Sequence, residues 1–263
     1  MLEITADKAQ TLKEFTENHY AQAAFCFRTL LKSKEIKVNG KKTGENVFLQ
    51  TGDRVQYYLT KKQEETAAFY VVYKDDTVLV VDKESGVNSE AVYAALVREF
   101  GASCRFIHRL DRNTKGLLVF AFGDQAEREL LESFRMRRVK KIYHALCVGR
   151  FAEKSKTLTA YLKKDEEKAL VRIFDNPVVG TEKIITEYAV LEEREGLTKA
   201  EITLHTGKTH QIRAHLAHVG CPVLGDMKYG NEQENKARNA ARQCLVAKYL
   251  QVNGKTFVSR FEV

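Results

Sequence analysis

The sequence predicts an α+β protein in two parts: a small N-terminal module of mixed helices and strands, then a larger domain around a mostly antiparallel sheet. Three observations carry that expectation. From residue 69 onward, short apolar or alternating runs outnumber helical ones and do not alternate with them strictly, which argues against a doubly wound fold. Residues 9–34 carry helical stripes instead. Between the two lies "KKQEETAA" (61–68), polar and aperiodic, which places a boundary near residue 66 and divides 1–66 from 67–263.

In the first part, Leu12 and Phe15 begin one helical stripe, and Ala24, Phe27 and Leu31 form a second at i, i+3, i+7. In "EIKVNGKKT", Ile36 and Val38 flank Lys37 ahead of Asn39-Gly40, a pair suited to a hairpin turn whose two central residues need positive φ. Gly52-Asp53 reads as a turn before the alternating Val55, Tyr57 and Leu59. In the second part, "FYVVY", "TVLVVDK", "GLLVFAF", "KIYHALCVG", "LVRIF", "TEYAVLEE" and "AEITLHT" read as strands. Helices are expected at about 89–100, 124–138, 209–219 and 233–243.

With 263 residues, 44% hydrophobic and 30% charged, the chain suits a globular protein with a substantial core. A net charge of +8 favours a polyanionic partner, nucleic acid first. Five scattered cysteines (Cys26, Cys104, Cys147, Cys221, Cys244) without disulfide or zinc spacing read as reduced thiols, so a cytoplasmic location is expected. No secretory leader is legible at the N-terminus, and the longest apolar run, "LLVFAF", is too short to cross a bilayer, so no membrane role is expected.

Two chemical readings fail on the residues. Gly207-Lys208-Thr209 ends like a phosphate-binding loop, but the glycine that motif requires five positions earlier is Ile202. His205, His210, His215 and His218 fall close together, yet Arg213 among them opposes a bound cation and no acid stands at ligand spacing, so no metal is expected. The stretch "RFIHRLDRNTKGLLVFAFG" (105–123) poses a different question, since it holds one carboxylate, Asp111, between Arg109 and Arg112 ahead of a buried run.

"HRLDRNTKG", "KKIYHALCVG" and "LHTGKTHQIRAHLAHVGCPVLGDMKYG" occur in that order, and together they resemble the motifs of the RluA-type pseudouridine synthases over about residues 69–230. "RTLLKSKEIKVNGKK" followed by "GDRV" resembles the alpha-L, or S-four-like, RNA-binding module over about residues 9–60. The first resemblance implies a pseudouridine synthase catalytic domain that isomerises specific uridines of structured ribosomal or transfer RNA to pseudouridine, as a monomer and with no cofactor. It implies Asp111 as the catalytic carboxylate and Arg213 as its charge partner. Arg109 would displace the target nucleotide, Tyr143 would pack on the uracil, and Ile212 would line the base pocket. Arg112, with no such counterpart, reads as a contact to the RNA backbone.

The second resemblance implies phosphate contacts by the module's basic groups, Arg28, Lys32, Lys34, Lys37, Lys41 and Lys42. The basic run before "KIYHAL", including Arg137, Arg138 and Lys140, reads as a phosphate track leading to the site. Lys115 stands where the family's first motif has serine, and "VDKESG" lacks the proline that commonly follows the family's Asp-Lys pair. The alternative from another class is a non-catalytic RNA-binding or ribosome-assembly protein on the same scaffold.

Overall fold

The computed structural model describes residues 1–65, 68–165 and 169–263. Within it the chain forms two compact units, Met1–Arg112 with Leu118–Arg128, and Asn113–Leu117 with Glu129–Val263. The module boundary expected at residue 66 lies outside the described residues.

After strand Leu2–Thr5, the first unit has three short helices, Leu12–His19, Ala21–Phe25 and Phe27–Ser33, where the stripes predict two. The extra break falls at Cys26, whose backbone leaves the helical region. A capping box starts the first helix: the Thr11 hydroxyl accepts from the Glu14 amide, and Glu14 accepts in return from the Thr11 amide. Leu12, Phe15, Leu30, Ile36, Val55 and Tyr57 form the core beneath a four-stranded sheet. Its order is Leu2–Thr5, Arg54–Tyr57, Ile36–Val38, Lys41–Thr43. The Asn39-Gly40 hairpin is present, with φ of 50° and 81°. The edge strand Leu2–Thr5 is an addition that four residues of pattern are too few to reveal.

This compact unit continues past the N-terminal module because helix Ser89–Phe100 packs on helix Leu12–His19. Arg98 Nη1 donates to the His19 carbonyl at 2.9 Å across that contact. Strand Val78–Lys83 is buried along its whole length, and Cys104–Phe106 pairs antiparallel with Phe120–Phe122.

The second unit is a sheet in the order Leu170–Phe174, Ser155–Asp165, Glu182–Arg194, Leu197–Leu204, Lys140–Val148, Leu245–Val252. Each of these neighbours pairs antiparallel, as does the hairpin partner Lys255–Val258 after a turn at Asn253-Gly254. Ser155–Asp165 escapes a reading by pattern because only Ala160 and Leu162 of its eleven residues are buried. The helix expected at 233–243 spans only Glu232–Ala237, since Asn239 takes a left-handed backbone (φ 53°). Lys115 and Gly116 pair in parallel with Val246 and Ala247. A Cβ on Gly116 would stand 2.4 Å from the Ala247 carbonyl oxygen at a φ of +111°, so only glycine fits the close approach that follows the "LDRNT" loop.

Candidate active site

The residues expected at the site divide between the two units: Arg109 and Asp111 in the first, Tyr143, Ile212 and Arg213 in the second. In the first unit Asp111 sits on the loop between strand Cys104–Phe106 and strand Lys115–Phe122. Both its neighbours are anchored through their backbones. The Leu110 amide donates to the buried Ser89 hydroxyl at 2.9 Å, and that hydroxyl donates to the Leu110 carbonyl at 3.0 Å. On the other side, the Arg112 carbonyl accepts from the Gly86 amide at 2.9 Å and from Lys83 Nζ at 3.1 Å. None of these four bonds uses the Asp111 side chain.

Lys83 is fully buried, and its ammonium also donates to the carbonyls of Glu84 (2.9 Å) and Val87 (2.8 Å). Burial pushes this ammonium down to about 7, against the pull of the Asp111 carboxylate. A buried cation within electrostatic reach of Asp111 and bonded to the next residue's carbonyl ties the loop to strand Val78–Lys83. Lys83→Met is expected to remove about 2 kcal/mol of stability, the scale of hydrogen bonds to a charged group. It should also lower kcat several-fold while leaving KM for RNA near its original value. Steady-state kinetics with a urea melt would check this; a fall confined to KM would remove Lys83 from the positioning of the loop.

The two arginines around Asp111 differ. Arg109 is 68% exposed and makes an ion pair with Glu90 at 3.1 Å. Arg112 is engaged within the fold: Nη1 meets the buried Glu17 at 2.8 Å and Nε donates to the Gly86 carbonyl at 3.1 Å. The reading of Arg112 as a contact to the RNA backbone is therefore replaced by a structural one. Lys115, in the second unit, lies over the Phe261 ring at 5.0 Å, so its ammonium runs along the C-terminal segment.

In the second unit Tyr143 lies buried on strand Lys140–Val148, paired with Ile202 on one side and Ala247 on the other. Ile212 and Arg213 open helix Gln211–His218, both buried. Gln211 fixes that helix's start: its amide donates to the Ile185 carbonyl and the Thr186 hydroxyl, and its carbonyl oxygen accepts from Thr206 and the Lys208 amide. Arg213 is held by a carboxylate that sequence reading quoted without assigning, Asp226. Nε meets Oδ2 at 2.6 Å and Nη2 meets Oδ1 at 2.9 Å, with both side chains buried. Burial works to raise the Asp226 carboxyl, but the bonds and charge of Arg213 with the Lys228 and Tyr229 amides outweigh it and hold it below its ordinary range.

The Tyr229 ring lies 5.2 Å under the Arg213 guanidinium, and its hydroxyl meets His210 Nδ1 at 2.9 Å. The turn that presents Asp226 demands glycine beforehand, since a Cβ on Gly225 would lie 2.0 Å from the Arg242 carbonyl oxygen at a φ of +76°. Asp226 was legible only as "GD" in "PVLGDMKYG"; the glycines on either side of a lone acid were the available signal.

The four clustered histidines each bond a different group: His205 to Glu187, His210 to Tyr229, His215 to Thr186 and His218 to Asp175. Burial, with the His218 charge, pushes His215 down to about 4 from 6.5, so it is neutral in the fold. Between those two values the unfolded chain binds a proton that the folded chain does not, so stability falls as pH drops from 6.5 towards 4. The full difference is worth about 3 kcal/mol. Replacing His215 with Gln is expected to flatten that limb of a urea-midpoint profile, and an unchanged slope would count against it.

Basic groups are unevenly engaged. Among the described residues, Arg28, Lys32, Lys34, Lys37, Lys41 and Lys42 of the N-terminal module make no salt bridge, and neither do Arg137, Arg138 and Lys140. Lys37 lies over the Tyr58 ring at 5.0 Å, and most of the others are exposed.

No helix among the described residues is long and apolar enough to cross a membrane. The family model described as RNA pseudouridylate synthase matches residues 68–218. Ribosomal large subunit pseudouridine synthase C of Vibrio parahaemolyticus is 31% identical over 230 residues, covering 78% of this chain and 71% of that one. An uncharacterized RNA pseudouridine synthase of Bacillus subtilis is 28% identical over 259 residues, covering 87% and 83%. The solved structure of human RNA pseudouridylate synthase domain containing 1 superposes with a TM-score of 0.63 at 28% identity, over 74% of this chain and 83% of that one. A mostly antiparallel α+β fold and three ordered motifs agree with these matches, and the chain belongs to the RNA pseudouridylate synthase family, enzymes that isomerise uridine within RNA.

Proposed function

We propose that this enzyme isomerises one or more uridines of ribosomal RNA, with Asp111 as its catalytic carboxylate. The observation that carries the assignment is the anchoring of Asp111 between two backbone-bonded neighbours beside a buried lysine. A reacting group must be held to a fraction of an ångström, and backbone bonds of both neighbouring residues hold this loop.

In this reading the bond between uracil N1 and ribose C1′ breaks with Asp111 attacking or stabilising C1′. The base turns and C5 bonds to C1′, and the C5 proton leaves as N1 gains one. Tyr143 packs on the uracil face and assists removal of that proton. Ile212 lines the base pocket, and the guanidinium of Arg213 opposes the charge of Asp111. Arg109 fills the space the extruded base vacates. Its exposed pair with Glu90 is worth at most about 1 kcal/mol and is easily exchanged for a nucleotide. The N-terminal module, 1–66, acts as an S-four-like phosphate-binding arm through Arg28, Lys32, Lys34, Lys37, Lys41 and Lys42. Arg137, Arg138 and Lys140 continue the phosphate contacts on the domain from 67 to 263. The enzyme acts in the cytoplasm as a monomer, without metal or cofactor.

The names of the relatives favour ribosomal over transfer RNA. The test is release of tritium from RNA labelled at C5 of uridine, taken from cells that lack the protein and separated into ribosomal and transfer fractions. Release from the ribosomal fraction is expected. Release from the transfer fraction alone would overturn the substrate, and release from neither would overturn the reading.

A further inference from the structure

The second unit contains a groove of about 800 Å³ with its own chemistry. One wall is the last turn of helix Gly123–Arg135 and the residues that lead into strand Lys140–Val148; the other includes Leu204, Thr206 and Gly207. Its charge is lopsided. Arg135 is paired with Glu132, His205 with Glu187, and Lys208 with Glu182. Arg137, Arg138, Lys140 and Lys141 make no salt bridge among the described residues.

Lys141 is the unusual member. Its side chain is half-buried, its ammonium lies 5.7 Å from the Phe134 ring centre, and it stands 3.2 Å from where a Cβ on Gly207 would be. Burial, then the nearby Arg137 charge, pushes this ammonium below its ordinary range. A desolvated cation whose charged neighbour is another cation is stabilised by an anion brought from outside. The groove has room for one or two nucleotides, not for a duplex. Lys141 precedes Tyr143 by two residues on one strand, about 7 Å along it, which is within one nucleotide's reach.

We propose that this groove binds the backbone of a single-stranded RNA segment next to the target uridine, with Lys141 as the central phosphate ligand. The proposal deepens the phosphate track of the function proposed above and rests on that reading for the position of the target base. Arg137 and Arg138 flank the strand at the mouth, and Gly207 leaves the ammonium uncovered. Stacking on Phe134 holds the lysine in place until phosphate arrives.

The experiment measures binding of a fluorescein-labelled uridylate dodecamer by anisotropy over a potassium chloride series. Wild type, Lys141→Gln, Lys141→Arg and Arg138→Gln are compared in the full chain. Losing one phosphate contact to a single strand should lower the slope of log affinity against log salt by about 0.7. Lys141→Gln should also weaken binding about tenfold at low salt, with Lys141→Arg restoring the slope. Arg138 is exposed, so Arg138→Gln provides the same readout should a Lys141 variant fail to fold. Unchanged slope and affinity in every variant that folds would overturn the groove. The same proteins are assayed for tritium release: release by wild type with unchanged slopes overturns the groove and leaves the proposed reaction standing. No release by wild type, with lowered slopes in the variants, does the reverse.

Discussion

Asp111→Asn is expected to fold and bind RNA like wild type and to release no tritium from C5-labelled RNA, a loss of at least about 10⁴-fold, the order seen when an essential nucleophile is removed. Folding should survive because the loop is secured by Ser89 on one side and by Gly86 and Lys83 on the other, through the backbones of Leu110 and Arg112. Asparagine has the same shape and none of the charge. What it removes is the negative group proposed to act at ribose C1′. One side effect is readable: without the Asp111 carboxylate, Lys83 loses the largest influence favouring its charged form, so its ammonium should titrate lower still. Stability and RNA affinity measured beside tritium release decide the matter. Residual release near the wild-type rate would strike Asp111 from the chemistry, and loss of folding would show that the loop needs the charge.

Most of the fold was legible because its strands are short apolar runs with turn residues between them. Helix Ser89–Phe100 agrees with its expected span, and both Asn-Gly hairpins are present. Ser155–Asp165 was invisible because it lies near the edge of its sheet, where water faces most of its side chains and alternation carries no penalty. The motif residues could be named from their order, but the groups that hold them could not. Lys83 stood in an Asp-Lys pair, Ser89 resembled a helix start, and Asp226 was a lone acid between glycines. Each acts through a contact far along the chain: Lys83 on the carbonyl of Arg112, Ser89 on Leu110, Asp226 on Arg213. Such contacts leave no periodic trace. Arg112 is the converse case, since local charge suggested a contact to RNA and the fold gave it Glu17 instead.

The Arg213–Asp226 pair should carry the largest single cost in stability. Replacing Asp226 with alanine leaves a guanidinium that is 8% exposed without its two-point partner, and it leaves the amides of Lys228 and Tyr229 without an acceptor. Breaking a buried ion pair from one side costs about 3–5 kcal/mol, far more than the pair gains over an apolar substitute, because the surviving charge stays desolvated. The carboxyl is held below its ordinary range, so its contribution is complete at neutral pH and is lost only as acid protonates the folded form. The deficit of the alanine variant should therefore be full at pH 7 and shrink towards low pH. Asp226→Asn keeps the volume but turns an NH₂ group towards a donor, so it should recover only part of the loss. Urea unfolding at neutral and acidic pH would read all three, and a variant within about 0.5 kcal/mol of wild type at pH 7 would show that the pair does not hold the helix start. Activity separates holding from chemistry. If Asp226 serves to aim Arg213, the alanine variant assayed where it is still folded should lose rate, and Arg213→Lys should lose it too, because an ammonium cannot reproduce the two-point grip.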